Sequence, residues 1–423
     1  MSSDLSQKLA YPHTLGVYLA VNAVPDAFLV MDGPGCAFYR AMTVHGRHDW
    51  ASTLLSCTGR HRVQYAGVDA NTIASGYEWR LREAVRTVAS APEPGVVLLG
   101  SMPICTLAGT QHERILREEK GVKPGAVVPG RSLGGDWLDG YDDALLALAD
   151  ALDLSGRKPV GGAPTSRNVA IVGHLMDRCE GDQRGNAAEL GRLCRGLGLE
   201  PVSVWLSGEP VARLRDIRHA RAVISLPYGR RAAASVARRL KAKLVETGLP
   251  VGLEATQAWL RKVAKALGRE SAAEAFIRSE LKRVIPRFEW AVPASFLGRK
   301  AVYVGDPHFH EGLAGFCEDL GVRLEGAFLN GRGGAIGDGI LTQPSMSRMK
   351  AEWERLAAGG VDLLIGNADA FAVLRPGCAW LELGFPSVWT HFLREEPTLG
   401  FEGAVHLADR MANALGRRAL LET

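Results

Sequence analysis

The chain has 423 residues, 47% of them hydrophobic, and 50 Lys and Arg against 46 Asp and Glu for a formal charge of +4. That is enough apolar material for two or three domains, and the interspersed charge leaves no basic stripe to hold nucleic acid or a membrane surface. Seven cysteines, odd in number and without a CxxC pair, argue against a secreted disulfide framework and for a reducing cytoplasm. No apolar run approaches a membrane span, and Met1–Ala10 has neither a signal-peptide apolar region nor an Arg-rich transit pattern.

In chain order, Tyr11 to Gly16 reads as a loop into a short helix, Val17 to Val24, and Pro25-Asp26 turns into an apolar strand, Ala27 to Met31. The strand runs into Asp32-Gly-Pro-Gly-Cys36. Gly33 and Gly35 are expected to allow unusual backbone angles and a close approach to a bound group, while Pro34 stiffens the bend. A helix follows from Ala37. The polar segment Ser52 to Gly67 carries Cys57, with His45, His48 and His61 nearby. The spacing of these histidines fits no zinc pattern, so they are expected to be solvated.

Tyr77 to Ala89 is helical by its spacing, and Val96 to Ser101 reads as a buried parallel strand that leads to Met102-Pro-Ile-Cys105. Cys36 and Cys105 therefore both follow the carboxyl ends of predicted parallel strands, the edge where ligands bind in open α/β sheets. Pro129 to Tyr141 reads as a glycine-rich loop before a helix to about Leu154, and Ser155 to Ser166 reads as a linker.

A second α/β unit is expected from Asn168: a strand to Leu175, a loop Asp177 to Gly185, a helix Asn186 to Leu197, strands at Pro201 to Leu206, Ala222 to Leu226 and Val251 to Leu253, and a helix Thr256 to Leu267. A third has strands at Ala301 to Val304, Val322 to Leu329 and Val361 to Ile365, helices ending at Leu320 and spanning Ser347 to Ala358, and a long helix from Phe401 to Leu421. If Gly305 to His310 is extended, His308 and His310 point to opposite faces and do not share a metal. Cys179, Cys194, Cys317 and Cys378 read as packing residues. Neither GxGxxG after a strand, nor a P-loop, nor a GxSxG elbow is present, so the chain is not expected to bind ATP itself.

The order of these pieces resembles the nitrogenase component 1 superfamily, which includes nitrogenase molybdenum-iron protein subunits, cofactor-assembly scaffolds, and the dark-operative protochlorophyllide and chlorophyllide reductases. The resemblance rests on the Tyr11–Gly16 loop, Gly-Pro-Gly-Cys-Ala-Phe-Tyr39, Ser52-Thr-Leu54, Tyr65-Ala-Gly67, and the strand leading to Cys105 with Ala108-Gly109 after it. Asp182 to Gly198, Leu253 to Thr256, Gly366-Asn367, Gly384-Phe-Pro386 and Gly400-Phe-Glu-Gly403 extend it over the whole chain.

The resemblance implies an α/β fold of three Rossmann-like domains with parallel sheets around a central cleft. The expected domains are residues 1–160, 166–295 and 296–423, the last with the carboxyl-terminal helix. It implies an iron–sulfur cluster of the 4Fe–4S type, shared with a homologous subunit in a homo- or hetero-oligomer, and electrons from an ATP-hydrolysing iron protein. Thiolates suit such clusters because a soft anionic sulfur stabilises iron.

Cys36 and Cys105 match two of three family cysteine positions, with Gly33 and Gly35 beside the cluster. The Tyr11–Gly16 loop lacks the third cysteine. Either this chain gives fewer ligands, or Cys57, Tyr11, His13 or Asp32 substitutes, with Cys57 first. His391 stands near the position of the family's carboxyl-terminal cofactor histidine, but Leu226-Pro-Tyr228 has no cysteine where the catalytic nitrogenase subunit has one. Dinitrogen reduction is thus not implied; a small organic substrate is, with His391 as proton donor. A cluster-assembly scaffold and a structural subunit without a cluster are the alternatives.

Overall fold

The structure is a computed structural model that describes residues 7–57, 59–131, 134–155, 166–176, 179–334 and 337–422. It contains three parallel sheets. The first is β1 (Ala27–Asp32), β2 (Val63–Tyr65), β3 (Val96–Ser101) and β4 (Gly125–Val127), in the order β2-β1-β3-β4. The second is β5 (Asn168–Val172), β6 (Glu200–Val204), β7 (Ala222–Ser225) and β8 (Lys243–Glu246), in the order β6-β5-β7-β8. The third is β9 (Lys300–Gly305), β10 (Arg323–Leu329), β11 (Ile340–Thr342), β12 (Leu363–Gly366) and β13 (Ala379–Glu382), in the order β11-β10-β9-β12-β13.

In each sheet the first strand lies between strands reached in opposite directions, which makes its carboxyl end a topological switch point. All six residues of β1 and of β3 are buried, as parallel strands covered on both faces require.

The chain divides into two compact units. One holds the first two sheets, in Pro12–Met176 and Glu200–Glu246. The other holds the third sheet, in Met1–Tyr11, Asp177–Leu199 and Thr247–Thr423.

In the first of these units, helix His13–Asn22 is buried along its entire length. It crosses helix Trp137–Ala151 so closely that a β-carbon on Gly16 would lie 1.7 Å from Trp137 O, and one on Gly140 would lie 1.8 Å from His13 O. Glycine is the residue that permits this approach. Asp143 anchors the same crossing. Its carboxylate lies 2.9 Å from His13 Nε2 and 3.2 Å from Arg131 Nε, and it is also paired with Arg231. The buried guanidinium of Arg62 donates to the carbonyls of Val21, Val24 and Ala27 at 2.8, 3.0 and 2.9 Å, tying the end of that helix to β1.

Several element boundaries differ from the sequence reading, and side-chain caps explain two of them. The first helix begins at His13 instead of Val17, directly after Pro12 in extended backbone. The glycine-rich stretch turns helical at Trp137, where the Asp136 carboxylate accepts from Leu138 N and Asp139 N. The expected loop before Asn186 is largely helix Glu180–Gly196, with Asp182 Oδ1 accepting from Cys179 N. Val251 to Leu253 is no strand: Gly252, at φ +79°, opens helix Gly252–Leu267.

His308 and His310 are not in an extended segment. They lie on helix Pro307–Asp319, capped by Asp306, whose carboxylate accepts from Phe309 N at 2.9 Å. The loop histidines are also less solvated than expected. His48 is buried, and His45 Nδ1 is 2.9 Å from Ser52 O. Helix Glu270–Phe288 was not anticipated, and residues 156–165 of the expected linker lie outside the described residues. No described helix is long and apolar enough to cross a membrane.

Candidate functional site

Register places the two matched cysteines on adjacent strand ends. β1 and β3 pair from Ala27 with Val96 to Asp32 with Ser101, and Met102 N then donates to Asp32 O at 2.8 Å. Gly33 O accepts from Gly67 N and Val68 N at 3.1 and 3.3 Å, which holds the turn against the end of β2. Neither Gly33 nor Gly35 takes up the left-handed backbone region that the sequence suggested. Gly33 is required for space instead: a β-carbon there would lie 2.6 Å from Met102 Cγ and 3.1 Å from its sulfur. Gly35 faces the Tyr65 ring at ordinary contact distance, 3.7 Å.

Cys36 is the first residue of helix Cys36–Val44 and is exposed. Exposed apolar side chains share this edge: Tyr39 (71%) and Met42 on the same helix, Tyr65 at the end of β2, and Ile104 and Leu107 (77%) on helix Pro103–Leu107. Isolated apolar residues on a surface mean little, but a group gathered beside one sulfur suits a covered face. Cys57 is also exposed, on a loop laid against the Cys36 helix by the His61 ring, 5.2 Å from that of Phe38.

Cys105 is placed differently. It is fully buried, in a core with Phe28, Val30, Leu81, Val85 and Ile115. Its thiol lies against Asp32 and Tyr77. Asp32 is itself 0% exposed, and its Oδ2 accepts from the Tyr77 hydroxyl at 2.9 Å and lies 2.7 Å from His112 Nε2. Thr110 Oγ1 extends the chain 2.6 Å beyond the Tyr77 hydroxyl. Asp32 Oδ1 has no hydrogen-bond partner among the described residues. Burial, then the neighbouring carboxylate, pushes the Cys105 thiol up to about 12, and burial likewise raises Tyr77, so both hold their protons.

The sequence reading named Asp32 only as a substitute ligand and did not single out Tyr77 or His112. Each opens a helix far along the chain, and no local pattern marks their convergence. The other proposed substitutes are engaged in holding the fold. Tyr11 donates to Asp369 Oδ2 at 2.8 Å and accepts from Asn367 Nδ2 at 2.8 Å, and buried His13 faces Asp143.

Among the described residues no three His, Cys, Asp or Glu side chains converge as a metal-binding group. An iron–sulfur cluster therefore fits this edge only in part: Cys36 offers an accessible sulfur, and Cys105 does not turn its sulfur outward.

In the unit built on the third sheet, His391 lies in a strap across helix Glu180–Gly196. Glu180 Oε2 is 2.9 Å from His391 Nδ1 and accepts from Phe392 N at 3.1 Å. Further along, Asn186 Oδ1 accepts from Thr398 N and Leu399 N at 2.8 and 2.9 Å, and Asp182 Oδ2 from the Thr398 hydroxyl at 2.8 Å. Glycine on the helix makes room: a β-carbon at Gly181 would lie 2.7 Å from the Phe392 ring, and one at Gly185 would lie 2.9 Å from Pro397 N. An imidazole oriented by a carboxylate is an arrangement suited to proton transfer.

A family model described as nitrogenase component 1 type oxidoreductase matches residues 12–416. The nitrogenase molybdenum-iron protein beta chain of Methanococcus maripaludis is 26% identical over 220 residues, 49% of this chain and 47% of that one, so the chain spans about half the length of that relative. Subunit N of the light-independent protochlorophyllide reductase of Acidiphilium rubrum is 25% identical over 355 residues, 80% of this chain and 78% of that one. A solved structure titled nitrogenase Cp1 at pH 6.5 superposes with a TM-score of 0.81 at 16% identity, covering 100% of this chain and 96% of that one, a likeness of fold.

Proposed function

The chain belongs to the nitrogenase component 1 type oxidoreductase family, and on that premise we propose that it is a subunit of a nitrogenase-like reductase that takes electrons from an ATP-hydrolysing iron protein and delivers them to a small organic substrate. The observation that carries this reading is Cys36, an exposed sulfur at the switch point of the first sheet beside Tyr39, Met42, Tyr65, Ile104 and Leu107. A homologous subunit covering that apolar face would exclude water from the sulfur. The same face would hold an iron–sulfur cluster at Cys36, with the exposed Cys57 on the adjacent loop as a further candidate sulfur. When bound, the cluster supplies one-electron transfer. Gly33 leaves room for the Met102 side chain against the turn that carries Cys36, and Gly35 adds no side chain of its own beside that sulfur. His391, oriented by Glu180, is the candidate proton donor to substrate.

The test is anaerobic co-purification with the partner subunit, followed by iron quantitation and EPR spectroscopy of wild type and Cys36→Ala. The expected result is iron in the wild type, with loss or alteration of its signal in the variant. A wild-type complex without iron overturns the cluster. Stimulation of an iron protein's ATP hydrolysis separates a reductase subunit from a scaffold, which would instead pass its iron to another protein.

A further inference from the structure

We infer that Cys105 is a thiol of the core and not a cluster ligand, which leaves Cys36 as the one cysteine that the carboxyl edge of β1 and β3 presents to a group outside the chain. The inference rests on the cluster reading above and narrows it.

Three features of the site point the same way. First, Cys105 is 0% exposed and packs with the apolar core under the sheet edge, whereas Cys36 is exposed at the edge itself. Burial of this kind is the ordinary state of a cysteine used as a small apolar residue.

Second, its thiol faces Asp32, a carboxylate with no exposure of its own. A ligand thiolate of an anionic cluster at this place would set two negative groups side by side in a low-dielectric interior. Asp32 has no freedom to withdraw. Its Oδ2 is held by Tyr77 and His112, which stand at the starts of helices Glu78–Ala89 and His112–Glu119, and its own position is fixed by the ladder with Ser101.

Third, the residue that directly follows the end of β3 is Met102, not Cys105. Its amide donates to Asp32 O and its side chain lies over Gly33, so the sulfur next to the turn that carries Cys36 is a neutral thioether. A thioether is a soft donor without charge and does not replace the thiolates that iron–sulfur clusters take. The strand ends then contribute the Cys36 thiolate alone, with Cys57 on the adjacent loop as the other exposed thiol near it, and the partner has to be a chain that carries thiolates of its own.

The experiment compares wild type, Cys36→Ser, Cys105→Ser and Cys105→Ala in the anaerobically purified complex by iron content and EPR, with circular dichroism to confirm folding. Both Cys105 variants are expected to keep wild-type iron and spectrum, while Cys36→Ser loses iron by about tenfold or more. A folded Cys105→Ser or Cys105→Ala complex that loses iron as Cys36→Ser does overturns the inference and leaves the cluster reading standing.

Iron absent from the wild type itself overturns the cluster reading. In that case native-state alkylation of the same chain, read by mass spectrometry, decides the placement of Cys105. Labelling at least about a hundredfold slower than at Cys36 is expected for a core thiol, and equal labelling overturns its assignment to the core.

Discussion

The carboxylate of Asp32 lies 2.7 Å from His112 Nε2 while having no exposure to solvent, which makes it the hub of the loops at the carboxyl edge of the first sheet. Replacing it with Ala leaves the His112 ring without this acceptor and the Tyr77 hydroxyl with Thr110 Oγ1 in place of two partners. Leaving one buried polar group unpaired costs about 1–3 kcal/mol and losing one further hydrogen bond about 1 kcal/mol, so Asp32→Ala is expected to lose on the order of 2–4 kcal/mol in urea unfolding. Asp32→Asn keeps an acceptor oxygen and should lose less. Equal stability of the Ala variant and wild type would remove Asp32 from this role.

The crossing of helices His13–Asn22 and Trp137–Ala151 predicts a sharp contrast between glycines. Gly16→Ala and Gly140→Ala each drive a methyl group into a backbone carbonyl, at 1.7 and 1.8 Å, which no rotamer relieves. Each should cost about 3 kcal/mol, the upper end of the usual overpacking range, visible as a lower melting temperature or loss of folded protein. Gly416, exposed within helix Gly400–Glu422, where a β-carbon would meet none of the described residues within 4 Å, provides the control. Gly416→Ala should be neutral or stabilising by up to about 1 kcal/mol, because alanine removes the flexibility of an open helical glycine.

His310 supplies a pH dependence. It is buried, its ring stacks at a tilt on Tyr303, 5.8 Å between centroids, and its Nδ1 has no hydrogen-bond partner among the described residues. Burial lowers its pKa from 6.5, against the opposing field of Asp306. The folded chain therefore binds fewer protons here than the unfolded chain at acid pH. The resulting stability is present above about 6.5 and is lost as pH falls toward the lowered folded value. By pH 5.5 this amounts to at most about 1.4 kcal/mol. His310→Phe should flatten that part of the stability profile in urea titrations from pH 7.5 to 5.5, and an unchanged slope would refute the assignment.

The strap that carries His391 depends on Glu180, which receives both the ring and the next backbone amide. Glu180→Ala should release this end of the strap, with Arg394, 82% exposed, as the nearest tryptic site. A loss of about 1.4 kcal/mol of local stability corresponds to cleavage about tenfold faster. Global unfolding should shift less than the local rate. Cleavage at the wild-type rate would show that the Asn186 and Asp182 contacts alone hold the strap.

The sequence by itself determined the α/β class and the central strands. β1, β3, β5, β7, β9 and β12 read as apolar runs because parallel strands covered on both faces need apolar side chains at nearly every position, and β10 does so over its buried second half, residues 326–329. It also located Cys36 on a turn after a strand, and Cys105 soon after a neighbouring one. The edge strands β2, β4, β11 and β13 left little trace: they are three or four residues long, and β2, β4 and β11 are only partly buried.

Only the tertiary structure decided which way each sulfur faces. Spacing along the chain assigns Cys36 and Cys105 to the same sheet edge, yet one is exposed and the other sits beneath it against Asp32 and Tyr77. That difference is set by contacts among β1, residues at the starts of two later helices and the core below them. Such contacts join segments remote in sequence, and no local pattern of residues encodes their distances.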